Sequence, residues 1–288
     1  MTLTWMRFNK YSSSNITYKQ MEKTKYKDIF IYDFDDVNEI IVCGDIHGEF
    51  NALVNKVCVQ YDIHDSIIIV AGDCGFGFER VGYYDNIYKR NRKRLEEHNN
   101  YILMIRGNHD NPSYFTDKYI NYKHFMTIED YSVINAAGRS VLCVGGAVSI
   151  DRQSRIEKQL KMKISHYHGD AEIKPRYYWE NELPYYDESK IEQACDYNVI
   201  DCVVTHTAPS FCEKINKQGL DSWSLDDKTL LDDVATERSV MDKIFNKLIE
   251  MKQPLSYWLY GHFHQSWNSR IDDIRFIMLD IMQLQEIR

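Results

Sequence analysis

The chain has 288 residues, 44% of them hydrophobic, with 35 basic against 43 acidic side chains and a formal net charge of -8. That length and apolar content suffice for a substantial core and exclude a disordered chain, and the acidic balance argues against long nucleic acid or an anionic membrane surface as partner. Seven scattered cysteines without a C-x-x-C pair spell neither a disulfide framework nor a thiolate zinc site; with no apolar leader and no apolar run long enough to span a bilayer, a cytoplasmic protein with reduced thiols is expected.

Residues 1–38 are polar and aromatic and read as an N-terminal extension. Apolar runs then recur along the chain: EIIVC (39–43), SIIIVA (66–71), YILMI (101–105), SVLCV (140–144), VIDCVV (199–204), SYWLY (256–260) and IRFIML (274–279). Continuous runs of this length fit strands buried on both faces. Phe50, Leu53, Val54 and Val57 fall at i, i+3, i+4, i+7, which predicts a helix with one apolar stripe, and Met241, Ile244, Phe245 and Leu248 repeat the spacing. The basic run Lys89 to Arg94 leads into Leu95-Glu96-Glu97 and reads as one solvated helix face. Strand, helix, strand in succession implies a right-handed βαβ start and a largely parallel sheet covered by helices. Residues 151–198 break this rhythm. Aromatic, charged and without clear periodicity, they read as an insertion, and long irregular insertions tend to carry function. With no internal repeat or Pro/Gly-rich linker, residues 1–288 are expected to form one domain.

The segments at the strand ends carry the chemistry. Five runs are trailed by Gly44-Asp45-Ile46-His47-Gly48, Gly72-Asp73, Gly107-Asn108-His109-Asp110, Thr205-His206-Thr207 and Gly261-His262-Phe263-His264. In open α/β sheets the carboxyl ends of strands gather at one edge, where ligands bind, so these distant segments should converge. Two aspartates, one asparagine and four or five histidines suit Mn, Fe, Zn or Ni and are too many for a single tetrahedral ion. Two metals are implied. With Asp73 as bridge, each ion receives three further protein ligands and keeps open positions.

In this order the five motifs resemble the calcineurin-like metallophosphoesterase superfamily, over Ile40 to His264. The resemblance implies a four-layer α/β/β/α sandwich. It also implies Asp45, His47 and His264 on one metal, Asn108, His206 and His262 on the other, and Asp73 between them, with two divalent ions as cofactors and Mn²⁺ as first choice. His109 would stand beside the scissile phosphate and assist the leaving oxygen, Asn108 would help to stabilise developing charge, and Asp110 would orient His109. Metal-bound hydroxide would attack phosphorus.

The departures from the pattern place the chain within the family. The protein Ser/Thr phosphatase branch carries a motif like G-D-x-x-D-R-G where this chain has Gly72-Asp73-Cys74-Gly75-Phe76-Gly77, and it tends to lack the histidine found here at His264. Arg106 is shared with that branch, whereas GGAVSIDRQSR (145–155) is similar to a stretch of bacterial and phage members. The chain is therefore expected nearer the phosphodiesterase type. A small phosphodiester or nucleotide is the expected substrate. A protein phosphatase, a nuclease and a catalytically silent scaffold are the alternatives. Arg106, Arg152, Arg155, Arg176, Tyr177, Tyr178 and Trp179 are the candidate substrate contacts, because Arg forks grip phosphate and aromatic rings stack on bases. Cys74, beside Asp73, reads as a small core residue.

Overall fold

Every one of the seven apolar runs forms a strand, in a computed structural model that describes residues 21–80, 82–165, 178–214 and 216–288, with backbone alone for 162–165. In chain order the elements are β1 (Glu22–Tyr26), β2 (Ile29–Asp33), β3 (Glu39–Cys43), α1 (Phe50–Asn55), β4 (Ser66–Val70), α2 (Tyr83–Glu97), β5 (Tyr101–Met104), β6 (Asn121–Tyr122), β7 (Phe125–Thr127), β8 (Ser132–Ala136) and β9 (Arg139–Val144). They continue with α3 (Arg152–Ser165), α4 (Glu188–Tyr197), β10 (Cys202–Thr205), α5 (Leu220–Trp223), α6 (Leu230–Glu250), β11 (Tyr257–Tyr260), β12 (Trp267–Ile271), β13 (Ile274–Met278) and β14 (Leu284–Ile287).

Two sheets result, one of eight strands in the order β1-β2-β8-β9-β10-β11-β13-β12 and one of six in the order β14-β3-β4-β5-β7-β6. Alternation along the strands assigns the layers. In β4, Ile67 and Ile69 face the other sheet and meet Val141, Val204, Leu259 and Ile277. The intervening Ile68 and Val70 pack outward with Leu53 and Val54 and with Ile87 and Leu95 of α2. In β10, Val203 packs outward on Ile191 of α4 and Met241, Ile244 and Leu248 of α6. The molecule is thus a helix, sheet, sheet, helix sandwich, as the resemblance implies. Truncating an inner side chain such as Ile69 to alanine costs about 2–5 kcal/mol.

Where the expectations differ from the structure, local composition explains it. Residues 22–33 of the supposed extension form a hairpin whose β2 pairs in parallel with β8, Ile31 opposite Val133, so this part widens the larger sheet. Its outer strand EKTKY is a polar edge with no apolar run to betray it. The supposedly aperiodic insertion holds two helices, α3 and α4. The second starts at Asp187, whose side chain accepts the Lys190 N–H, and buries only the small stripe of Ile191, Gln193 and Ala194. Parallel pairing runs through β3-β4-β5-β7 in one sheet and β9-β10-β11-β13 in the other and recurs between β2 and β8, while β14-β3, β6-β7, β1-β2, β8-β9 and β12-β13 pair antiparallel. Lys89, Arg90, Arg92, Lys93 and Arg94 lie exposed on α2, two of them paired with Glu96 and Glu97. No described helix is long and apolar enough to cross a membrane, and all seven cysteines are free.

Candidate metal centre

The parallel strands of both sheets open their carboxyl ends toward the same place. The turn after β3 delivers Asp45 and His47, and the turn after β11 delivers His262 and His264. Nε2 of His264 lies 3.0 Å from Oδ2 of Asp45 and 3.1 Å from Nε2 of His47. Single ligand atoms of Asp45, His47, Asp73 and His264 all fall within 4.8 Å of one another. Beside this group, Nε2 of His206 is 3.2 Å from Oδ1 of Asp73 and 3.0 Å from Oδ1 of Asn108, which is also 3.0 Å from Nδ1 of His262. The structure therefore gathers the seven expected ligands into two half-sites that share Asp73.

Close backbone approach makes this possible. A Cβ on residue 261 would stand 2.2 Å from Oδ1 of Asp45, so only glycine lets the two turns meet. Four of the ligands, His47, Asp73, His262 and His264, have positive φ between 44 and 70°, a costly backbone region that recurs at functional sites. His206 is steered by its other nitrogen: Nδ1 donates to the Ala71 carbonyl at 2.6 Å, which leaves the Nε2 lone pair for a cation.

The electrostatics fit divalent cations. Oδ2 of Asp45 and Oδ2 of Asp73 are buried and accept no well-directed hydrogen bond, although Nε2 of His264 stands 3.0 Å from the former, and carboxylates buried in this way call for positive charge beside them. Burial opposes the charge on Asp73, yet the imidazoles of His109, His206 and His47 outweigh it and hold the carboxyl well below its usual range. Burial pushes His47 and His262 down, so both imidazoles are neutral and able to ligate. His206 is different. Burial would lower it too, but the Asp73 carboxylate prevails and lifts it to about 9.

On the open side of the centre a cleft of about 380 Å³ is lined by His47, Glu49, Phe78, Glu79, Tyr83, His109 and Arg155, among others. The Arg155 guanidinium, tied by Nε to Asp151 at 2.7 Å, reaches Nε2 of His109 at 3.0 Å. Burial, with Arg155 and Lys217 adding to it against the pull of Asp73, pushes His109 down to about 4. The backbone N–H of His109 donates to Oδ1 of Asp73 at 2.8 Å, fixing the imidazole beside the shared ligand. A larger cavity of about 1130 Å³, between Trp179, Lys190 and the turn at Pro112, contains none of the seven ligands.

Several expected roles change. Asp110 does not face His109: its Oδ1 accepts the N–H groups of Gly75 and Phe76, and its Oδ2 those of Cys74 and Gly107. It ties the turn after β4 to the turn after β5. Arg106 cannot reach a substrate in the cleft, because it is buried and donates to Asp130 and to the carbonyls of Asn181, Glu182 and Leu183. Arg152 is likewise committed to Asp227, Thr229 and Asp233. Trp179 is buried edge-on to Phe78, and a Cβ on Gly77 would stand 2.7 Å from its ring, so it props the turn after Asp73. Tyr178 stands near Arg152 and Glu182 and lines the larger cavity rather than the cleft. Arg176 and Tyr177 lie outside the described residues. His124, outside the motifs, is buried and bonded to the Asn100 carbonyl. Cys74 is buried, and burial pushes its thiol well above the usual range.

The motif reading missed Ser149, Asp151, Glu182, Lys217 and Glu237. Glu237 is buried and accepts from the Val148 N–H and the Thr207 hydroxyl, joining the turn after β9 to that after β10. Only the glycine-rich GGAVSID after a strand signalled that a third turn of the larger sheet borders the centre.

No curated protein matches the chain. Among solved structures, a phosphopantetheinyl hydrolase from Mycobacterium tuberculosis is similar at 12% identity and a TM-score of 0.38, over 88% of this chain and 96% of that one. The calcineurin-like phosphoesterase pattern matches residues 39–266, which span all five motifs of the centre. The chain belongs to that family and is a metal-dependent phosphoric ester hydrolase.

Proposed function

We propose that the protein hydrolyses a small phosphodiester or a nucleotide phosphoester, with Asp45, His47 and His264 holding one divalent cation, Asn108, His206 and His262 another, and Asp73 serving both. Two buried carboxylate oxygens that accept no well-directed hydrogen bond, set among convergent imidazole nitrogens, carry this reading. When bound, two such cations supply Lewis acidity at the phosphoryl oxygens and activate a water. Mn²⁺ suits the mixed oxygen and imidazole set.

The chain's own residues do the rest. Arg155, held by Asp151, grips a phosphoryl oxygen in the mouth of the cleft. In the substrate-free site that guanidinium helps to keep His109 neutral. Once phosphate takes up its hydrogen bonds, the imidazole is free to hold the proton that the leaving oxygen requires. Phe78 and Tyr83 offer flat apolar surface to a leaving group such as a nucleoside, while Glu49 and Glu79 at the rim repel further phosphates. A cleft of about 380 Å³ suits one small ligand and disfavours a long polyanion.

The experiment compares Mn²⁺-dependent hydrolysis of a chromogenic phosphodiester and its monoester partner by the wild type. Faster diester cleavage supports the reading. A clear preference for the monoester would narrow the reading to a nucleotide phosphatase, and a preference for a phosphoserine peptide would replace it with a protein phosphatase.

A further inference from the structure

Ser149, in the turn after β9, is 2% exposed, and Glu182 is 0% exposed. The Ser149 hydroxyl donates to Oε2 of Glu182 at 2.6 Å, and the Ser149 N–H donates to Oε1 at 2.8 Å. Nδ2 of Asn108 donates to Oγ of Ser149 at 2.8 Å. A serine hydroxyl has one proton, and Glu182, whose carboxyl burial pushes up to about 8 against the pull of the two Ser149 hydrogen bonds, only accepts once it is ionised. With that proton committed to Glu182, Oγ can only accept from Asn108. The amide must therefore turn its N–H₂ toward Ser149 and its carbonyl oxygen the other way, toward Nε2 of His206 and Nδ1 of His262. The two ends of an amide have nearly the same shape, but only the oxygen ligates a cation. The polarity of this chain of bonds, and not packing, decides which end faces the half-site.

Glu182 comes from outside the five motifs. Nη1 of Arg106 donates to the carbonyls of Asn181 and Glu182 and Nη2 to that of Leu183, while the Ala147 N–H donates to the Glu182 carbonyl. The segment is thus docked on the two turns that follow β5 and β9.

We propose that Glu182, acting through Ser149, is a positioning residue that holds the carbonyl oxygen of Asn108 toward the second cation half-site, so that this half-site is completed by the segment around Glu182. The inference rests on the two-cation reading above. Coupling of this kind is reciprocal, so a cation at Asn108 should also tighten the docked segment.

The test titrates, above pH 8 where Glu182 is ionised, metal-free wild type, Ser149→Ala and Glu182→Gln with Mn²⁺ alone by calorimetry, alongside the Tm of each metal-free protein. Glutamine keeps the shape of Glu182 but sets an N–H₂ against either the Ser149 N–H or its hydroxyl. Two ions are expected for wild type. Both variants should keep one near wild-type affinity and bind the other about 10–100-fold more weakly. In wild type, Mn²⁺ should slow amide exchange around Glu182, and Ser149→Ala should remove that effect without a matching loss of Tm. Both ions bound as tightly as in wild type by both variants would overturn the inference and leave the hydrolase reading standing. Equal weakening of both ions, tracking a fall in metal-free Tm, would also overturn it by reducing the pair to scaffolding. A wild type that binds no Mn²⁺ would overturn the two-cation reading itself, and this inference with it.

Discussion

Gly107 has no room for a side chain because Asp73 lies against its α-carbon: a Cβ there would stand 2.1 Å from the Asp73 nitrogen and 2.2 Å from its Oδ1. Asp73 is thus placed by the glycine of the next motif. Gly107→Ala is expected to push Asp73 away and weaken Mn²⁺ binding about 10–100-fold, the usual effect of disturbing what supports a metal ligand. Calorimetric titration checks it, and unchanged affinity would mean that the Asp73 turn has slack.

Asp110 and His109 are neighbours with separable jobs. Asp110→Asn turns a donor toward amides that need acceptors, and each buried group left unpaired costs about 1–3 kcal/mol. Its Tm and its activity should fall together in thermal and kinetic assays. His109→Ala should lose activity at a nearly unchanged Tm, and an equal loss of Tm would remove the case for His109 as an acid.

The sequence made these central features legible because they lie at strand ends that topology must bring together. Seven apolar runs became seven strands, and the residues at the carboxyl ends of five of them became the centre. Other features left no one-dimensional signal. The strand EKTKY is polar because it is a sheet edge, and α4 shows the sheet only a narrow stripe. Arg106, Arg152 and Trp179 have the composition of substrate contacts, but burial commits them to partners far away along the chain, 81 positions in the case of Arg152 and Asp233. Ser149 and Glu182 matter through a bond between elements 33 residues apart, which no spacing rule anticipates.

Among the described residues, Arg155 is the arginine that lines the cleft. Charge-assisted hydrogen bonds of this kind contribute about 1.5–3 kcal/mol, so Arg155→Ala should lower kcat/KM about 10–100-fold with the Mn²⁺ stoichiometry unchanged. Steady-state kinetics beside a metal titration separate the two effects. A variant with wild-type kcat/KM would move the phosphate grip elsewhere, Lys217 being the next cation near His109.

His206 links metal uptake to pH. In the metal-free protein it is lifted from 6.5 to about 9, so its protonated form stabilises the fold below the unfolded value, and that contribution is lost as pH climbs through about 9. A cation needs the deprotonated imidazole. Mn²⁺ affinity should therefore rise between pH 6.5 and 9 while the metal-free protein loses stability over the same interval. Titrations in buffers of different ionisation enthalpy should register proton release on binding at neutral pH. Affinity that is flat over the interval in wild type, or equally pH-dependent in His206→Asn, would contradict this.

The most direct test of the central claim is the initial rate of bis(p-nitrophenyl) phosphate hydrolysis by metal-free wild type and Asp73→Asn as Mn²⁺ is added back. The account predicts a rate that appears with Mn²⁺ in wild type and stays at background in the variant, because both half-sites depend on one carboxylate. Comparable Mn²⁺-dependent rates in the two proteins would contradict it.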